Sequence, residues 1–181
     1  TLGDTGTCTF RDTHTPGRAD PRPVDIPTFN AVSHVAVAMG ETDLDTDEVA
    51  AIYDELLKTY QTEWEYRGHR SLHLSYYDED HQEPGEAAMN TMRILSAAAG
   101  IDSEDRVLNI GCGAGEDSVW NARAHGATVT GVNISESQLE LARENAREHG
   151  VEDLTTFEYD DFQTLETIDD DAFDVVWGLE A

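Results

Sequence analysis

Three glycines at alternate positions follow a short apolar segment, residues 106–110, and precede a helical pattern that starts near Glu116: Gly111, Gly113 and Gly115. Glycine has no Cβ, so its backbone can turn tightly and lie close to a ligand. The helix after such a loop presents unpaired N–H groups and the positive end of its dipole. This spacing predicts a site for an anionic or carboxylate-bearing cofactor.

The glycine spacing also distinguishes a dinucleotide site from a site for a cofactor that carries positive charge. A dinucleotide site needs Gly-x-Gly-x-x-Gly, whereas here the glycines run Gly-x-Gly-x-Gly and Glu116 comes next. A carboxylate repels a pyrophosphate, but it suits a cofactor with an ammonium or sulfonium group. S-Adenosylmethionine has both cations, together with a carboxylate for the loop N–H groups. A dinucleotide or nucleotide-sugar oxidoreductase domain stays as an alternative, which Glu116 argues against.

The elements around the loop alternate between strand and helix. Strands are predicted at residues 106–110, 128–132, 155–159 and 173–177, and helices at 116–125 and from Ser135 to His149. Ser135 and Gln138 have the spacing of a capping box. This alternation predicts an α/β fold, a Rossmann-like doubly wound parallel sheet with helices on both faces. Ligands of such sheets bind at the carboxyl ends of the strands, here residues 111–115, 131–135 and 159–162.

Two helices precede the sheet. Thr46 is predicted to cap the first, which runs to about Tyr66 with a stripe of apolar residues expected in the core: Val49, Ile52, Tyr53, Leu56, Leu57, Tyr60 and Trp64. The second runs from about Pro84 to Ala99. The loop between them carries His69, His73 and His81, whose irregular setting argues against a metal site. Residues 1–45 have the composition of a disordered or extended segment, and residues 46–181 form the predicted cofactor-binding domain.

Three stretches together resemble class I S-adenosylmethionine-dependent methyltransferases: Val107–Gly115, Gly126–Ser135 and Phe173–Glu180. The similarity is greatest to the small-molecule branch, which includes sterol, tocopherol, cyclopropane fatty acid and glycine-betaine-pathway enzymes. Residues 72–78 resemble the segment that covers the cofactor in that branch. The resemblance spans about residues 50–181, and it implies a methyltransferase acting on a small-molecule acceptor.

The resemblance also implies roles for individual residues. In the glycine loop, which Gly115 completes, Gly111, Cys112 and Gly113 would pack against the methionine end of the cofactor. Asn133 and Ile134 would lie along the ribose and adenine, with Gln138 close by. Asp161 would accept from the adenine amino group, and the Phe162 backbone N–H would reach the ring. Tyr76 and Tyr77 would close over the sulfonium side.

Two positions depart from the family pattern. The family usually has Asp where this chain has Asn109, and it often has an acid where this chain has Asn133. An amide can bond a ribose hydroxyl, but it lacks the charge that makes such a bond roughly twice as strong. Methyl transfer needs alignment and exclusion of water more than a strong base, so no catalytic residue is assigned. A non-catalytic cofactor-binding remnant or partner subunit is the main alternative.

The chain has 38 acidic and 11 basic residues among 181, a net charge of −27. This charge argues against binding to nucleic acid or an anionic membrane surface, and it is typical of adaptation to high salt. Two isolated cysteines, no apolar run long enough for a membrane span and no signal peptide predict a cytoplasmic protein.

The sheet is predicted to be incomplete after its fourth strand. The family has about seven strands, and the fourth is interior in the family's strand order. Val175, Val176 and Trp177 would then lie on an open apolar edge, which invites pairing with another chain. We therefore expect a C-terminally incomplete chain, and a homo-oligomer or a completing chain at that edge.

Overall fold

The computed structural model of the chain describes residues 45–71 and 73–180. The prediction of a disordered or extended segment over residues 1–45 concerns almost entirely residues outside this part. The described part holds four helices and four strands: α1 Thr46–Arg67, α2 Pro84–Ala99, β1 Arg106–Ile110, α3 Glu116–His125, β2 Thr128–Asn133, α4 Glu136–Glu148, β3 Thr155–Tyr159 and β4 Val175–Trp177. None of these helices is long and apolar enough to cross a membrane.

The strands form one parallel sheet in the order β3-β2-β1-β4. Val107 on β1 is opposite Val129 on one side and Val175 on the other. The predicted Rossmann-like fold is therefore confirmed. The fourth strand starts at Val175, two residues later than predicted, and just before it the Arg106 N–H and guanidinium both donate to the Asp174 carboxylate at 3.0 Å.

Close approach between helices and strands depends on two glycines. Gly115 ends the loop with φ +78°, and a Cβ there would lie 2.7 Å from Ala142 Cβ on α4 and 3.0 Å from Phe157 on β3. A Cβ at Gly131 on β2 would lie 2.9 Å from Cys112 and from Phe157. The glycines therefore let the loop sit directly on β2, β3 and α4, which fixes its position at the strand ends.

The N-cap of α1 is Asp45, not Thr46 as predicted. The Asp45 carboxylate accepts from the Glu48 N–H at 2.9 Å, and the Glu48 carboxylate accepts from the Asp45 N–H at 3.0 Å. This reciprocal pair is a complete capping box. Thr46 is the first helical residue, and its hydroxyl donates to Asp161 at 2.9 Å instead. The start of α1 thus contacts the loop after β3.

The apolar stripe of α1 is not the core face that the sequence predicted. Trp64 is buried, whereas Ile52, Tyr53 and Leu56 are at least 40% exposed. The helix is held instead by a polar contact, since the Asp54 carboxylate accepts from Ser135 Oγ at 2.6 Å and from Ser137 Oγ at 2.5 Å. α1 therefore lies across the carboxyl ends of the strands rather than flat against the sheet.

Candidate functional site

A cavity of about 500 Å³ opens at the carboxyl ends of the strands. Its walls come from the glycine loop, the loops after β2, β3 and β4, the start of α3, α1, and the residues Arg70, Ser71 and His73. The three strand-end loops predicted from the sequence therefore do surround one space. The α1 residues that line it are Thr46, Val49, Tyr53, Tyr60 and Trp64.

The glycine loop forms one wall of the cavity. Gly111 and Gly113 have φ of +61° and +53°, a conformation that side chains disfavour, and both line the cavity with Cys112. The Cys112 N–H donates to the Val132 carbonyl at 3.0 Å, which ties the loop to β2. Burial raises the pKa of the Cys112 thiol to about 12, so the sulfur is a neutral wall atom and not a nucleophile. Gly115 does not line the cavity; it packs on α4.

The end of β2 contributes the amides Asn133 and Gln138, with Ile134 between them. Asn133 Nδ2 donates to Gln138 Oε1 at 2.9 Å, and Asn133 Oδ1 accepts from the Ile134 N–H at 3.0 Å. Ser135 Oγ accepts from the Gln138 N–H at 3.2 Å, which is half of the predicted capping box. The other half is not formed, because the Gln138 side chain turns to Asn133.

Two adjacent acids after β3 have different surroundings. Asp160 is buried, and its carboxylate accepts from the backbone and hydroxyl of Thr167 at 2.8 and 2.6 Å. Burial alone would raise the pKa of Asp160, but these hydrogen bonds hold it below its usual value. Asp161 lines the cavity with Phe162, and its second oxygen accepts from the Gln163 N–H at 2.9 Å. Asp160 thus fixes the loop, whereas Asp161 lines the cavity.

Two further acids line the cavity at the start of α3. Glu116 accepts from the Arg70 N–H at 3.1 Å and from Asn145 Nδ2 at 3.3 Å. Asp117, which the sequence analysis did not single out, accepts from the Trp177 indole N–H at 2.9 Å. A cavity wall with two carboxylates favours a ligand that carries positive charge.

The segment before α2 reaches the cavity through different residues from those predicted. Arg70, Ser71 and His73 line it, whereas Tyr76 and Tyr77 do not. The Tyr76 N–H donates to Thr91 Oγ1 at 2.9 Å, which holds this stretch beside α2 and away from the strand ends. The Tyr77 side chain is 54% exposed.

His73 is 5% exposed and touches the first turn of α3. Its Nδ1 lies 3.0 Å from the Leu74 carbonyl oxygen, and its Nε2 lies 3.5 Å from Asp117 Oδ1. Burial by itself would lower the pKa of His73, but the Asp117 carboxylate and the Leu74 carbonyl outweigh it and raise that pKa. Glu180 completes this wall, accepting from the Leu74 N–H at 2.8 Å.

Asn109, at the position where the resemblance implies Asp, is uncharged. Asn109 is buried at the edge of the cavity and donates to Ser118 Oγ at 2.9 Å. Over residues 45–71 and 73–180, no group of three His, Cys, Asp or Glu side chains is placed to hold a metal ion. The polar groups that line the cavity include backbone turns, amides and carboxylates, which fit a cofactor with hydroxyl, amino and cationic groups.

Residues 101–178 match the family model of the methyltransferase domain. This stretch of the described α/β unit is therefore similar to methyltransferase domains, and its parallel sheet has the Rossmann-like strand order. Relatives that include a rifamycin, a probable tocopherol and a sterol methyltransferase confirm the resemblance to the small-molecule branch, and S-adenosylmethionine is the cofactor of that class.

Two relatives and one solved structure show the extent of the similarity. Methyltransferase GfsG of Streptomyces halstedii is 35% identical over 139 residues, 74% of this chain and 47% of that protein. The 27-O-demethylrifamycin SV methyltransferase of Amycolatopsis mediterranei is 39% identical over 111 residues, 61% of this chain and 40% of that protein. The crystal structure of the [4+2]-cyclase SpnF superposes with a TM-score of 0.67 at 25% identity, covering 74% of this chain and 48% of that one. This chain thus spans about half the length of the curated relatives it matches.

Proposed function

We propose that the full protein transfers the methyl group of S-adenosylmethionine to a small-molecule acceptor. The observation that carries this proposal is the cavity at the strand ends, lined by the glycine loop and by acids, in a methyltransferase domain. The name of the Amycolatopsis relative gives an oxygen of a rifamycin as its acceptor, which supports an organic small molecule here.

The wall residues suggest how the cofactor is held. We propose that the backbone of Gly111 and Gly113 holds its methionine end, that Asn133 and Gln138 contact the ribose, and that Asp161 accepts from the adenine amino group. When bound, S-adenosylmethionine supplies an electrophilic methyl group on a sulfonium that is already a good leaving group. The task of the protein is to align the acceptor and keep water away, and α1 lies where it can do the second.

A second candidate is a cofactor-binding domain without methyl transfer. The similarity to a [4+2]-cyclase favours it, because one fold can carry unrelated chemistry. The neutral Asn109 favours it also, since an amide binds the cofactor less strongly than a carboxylate. A dinucleotide site is disfavoured by Glu116 and Asp117, which would face a pyrophosphate.

The proposal also covers the cellular environment of the protein and the open edge of its sheet. We propose that the protein works in a saline cytoplasm, because a net charge of −27 is typical of adaptation to high salt. Val176 is 65% exposed on β4, which pairs with β1 alone among the described strands. We propose that a further strand, from a second copy or from another segment, covers this edge.

Calorimetric titration with S-adenosylhomocysteine and with NAD in molar salt tests the cofactor. We expect binding of the first and not of the second. Asp161→Ala should weaken S-adenosylhomocysteine binding by about 1–3 kcal/mol, because the adenine amino group loses its acceptor. Asp169→Ala is the matched control, since Asp169 is exposed and does not line the cavity.

Binding of NAD to the wild type would contradict S-adenosylmethionine as the cofactor. An unchanged affinity of Asp161→Ala for S-adenosylhomocysteine would exclude Asp161 from the site. Transfer of label from methyl-labelled S-adenosylmethionine to a cell extract then separates the two candidates. We expect labelled small molecules; cofactor binding without any labelled product would favour the non-catalytic candidate.

A further inference from the structure

His73 and Asp117 place two hydrogen-bond acceptors opposite each other. The Leu74 carbonyl oxygen, 3.0 Å from His73 Nδ1, can only accept, so Nδ1 carries a hydrogen. A neutral His73 then has a lone pair on Nε2, which lies 3.5 Å from Asp117 Oδ1. Nε2 is buried and makes no hydrogen bond of acceptable geometry within the described residues. Two acceptors in this arrangement repel each other unless a donor or a cation lies nearby.

Among the described residues that line the cavity, Arg70 does not supply that cation. Arg70 lines the same cavity, but its guanidinium donates to the Leu141 carbonyl at 3.1 Å and to Glu148 at 2.8 Å. The other oxygen of Asp117 accepts from Trp177, which leaves Oδ1 on the His73 side. Within the described part of the chain, the sources left for the positive charge are a proton on His73 Nε2 and a ligand in the cavity.

We infer that Asp117 binds the α-ammonium group of the methyl donor, and that His73 is protonated in the free site and loses that proton when the ammonium group binds. This inference rests on the proposed function. The proton leaves to solvent, His73 Nε2 becomes a lone-pair acceptor, and the positive charge beside Asp117 is that of the ammonium group. The charge of His73, Asp117 and the bound ammonium group together therefore equals the charge of His73 and Asp117 in the free site.

Other ionisable groups of this wall have defined positions. Glu180, after β4, also acts on His73 electrostatically, and its carboxylate accepts from the Leu74 N–H. Glu116, on α3 beside Asp117, accepts from Arg70 and Asn145. The Cys112 thiol, whose pKa is about 12, stays neutral. We assign the proton exchange to His73, because an imidazole ordinarily titrates between about pH 5 and 8 and, although burial alone would lower its pKa, the Asp117 carboxylate raises it.

The test compares S-adenosylhomocysteine with methylthioadenosine, which has the adenosine and sulfur but no amino acid group. Titration calorimetry near neutral pH, in buffers of different ionisation enthalpy, measures the protons released on binding. We expect proton release with S-adenosylhomocysteine and none with methylthioadenosine. Asp117→Asn should weaken S-adenosylhomocysteine binding about tenfold or more and leave methylthioadenosine binding unchanged. Asp169→Asn, at an exposed position, should change neither affinity.

His73→Gln extends the test should Asp117→Asn fail to fold. It should abolish proton release while S-adenosylhomocysteine still binds. Binding of S-adenosylhomocysteine to the wild type without proton release would overturn the role of His73. If the folded Asp117→Asn variant lost affinity for S-adenosylhomocysteine and for methylthioadenosine equally, the role of Asp117 would be overturned. A wild type that binds neither ligand would instead refute the proposed function itself.

Discussion

Neighbouring acids in this protein do different things because they have different partners. Asp160 is buried and bonded to Thr167, so it shapes a loop, while Asp161 lines the cavity and takes the Thr46 hydroxyl. At the start of α3, Glu116 is engaged by Arg70 and Asn145, whereas Asp117 faces His73. Identity and spacing alone do not distinguish the members of either pair.

Gly115 and Gly150 are a matched pair for testing the packing of the glycine loop. Both have positive φ, +78° and +66°, but a Cβ at Gly150 would meet nothing within 4 Å. Gly150→Ala should therefore lower the free energy of unfolding by about 1–2 kcal/mol, the backbone cost of a left-handed residue. Gly115→Ala should lower it by about 1–3 kcal/mol more, because the new Cβ clashes with Ala142. Urea unfolding measures both, and equal losses would contradict the packing role of Gly115.

The residues of the glycine loop could be predicted because their role depends on local backbone conformation. His73 and Asp117 could not be paired from the sequence, because they are 44 positions apart and meet through the fold. Tyr76 and Tyr77 were predicted on the cavity, and the structure places them outside it. Their segment is irregular, so no periodicity indicates which of its residues lie against the strand ends.

At the scale of elements, α1 depends on polar contacts for its position. Asp54 accepts from both serines at the start of α4, where a carboxylate also benefits from the helix dipole. The two hydroxyls hold the pKa of Asp54 below its usual value. Together with the hydrogen bond from Thr46 to Asp161, this contact holds α1 where it lines the cavity.

Asp54→Ala should loosen α1 without unfolding the sheet. We expect the local opening free energy of α1, measured by hydrogen exchange, to fall by about 1 kcal/mol, a modest value because the contact is exposed. Since the folded pKa of Asp54 is lowered, the contact is fully present above the usual carboxyl pKa and is lost as the pH falls through the lowered value. Glu55→Ala on the same helix is the control. Equal protection of α1 in both variants would exclude the Asp54 contact as its anchor.

The order and type of the elements were predictable, since each strand and helix has its own hydrophobic pattern and stop signal. The environment of α1 was not predictable. Its apolar stripe indicated a core face, but the structure leaves Ile52 and Leu56 exposed. A 3.6-residue period shows which residues share a face, and it does not show whether that face meets a sheet, a ligand or another chain.

At the scale of the whole molecule, a net charge of −27 implies strong self-repulsion in dilute buffer. We expect the free energy of unfolding to rise with KCl and to level off near 1 M, where the screening length has fallen to about 3 Å. Chemical unfolding by urea across a KCl series from about 0.01 to 3 M measures this. A linear rise that continues beyond 1 M would indicate exclusion of salt from the surface instead of screening.

The strand order also sets the entropic cost of building the site. The pairing of β1 with β2 joins Arg106 to Thr128, 22 residues apart, whereas the pairing of β1 with β4 joins Val107 to Val175, 68 residues apart. Closing the longer loop costs about 1 kcal/mol more chain entropy. The contacts that offset it are Arg106–Asp174 at one end of β4 and Trp177–Asp117 at the other. Asp117 also lines the cavity, so the contact that secures the strand after the longest loop also positions a side chain of the site.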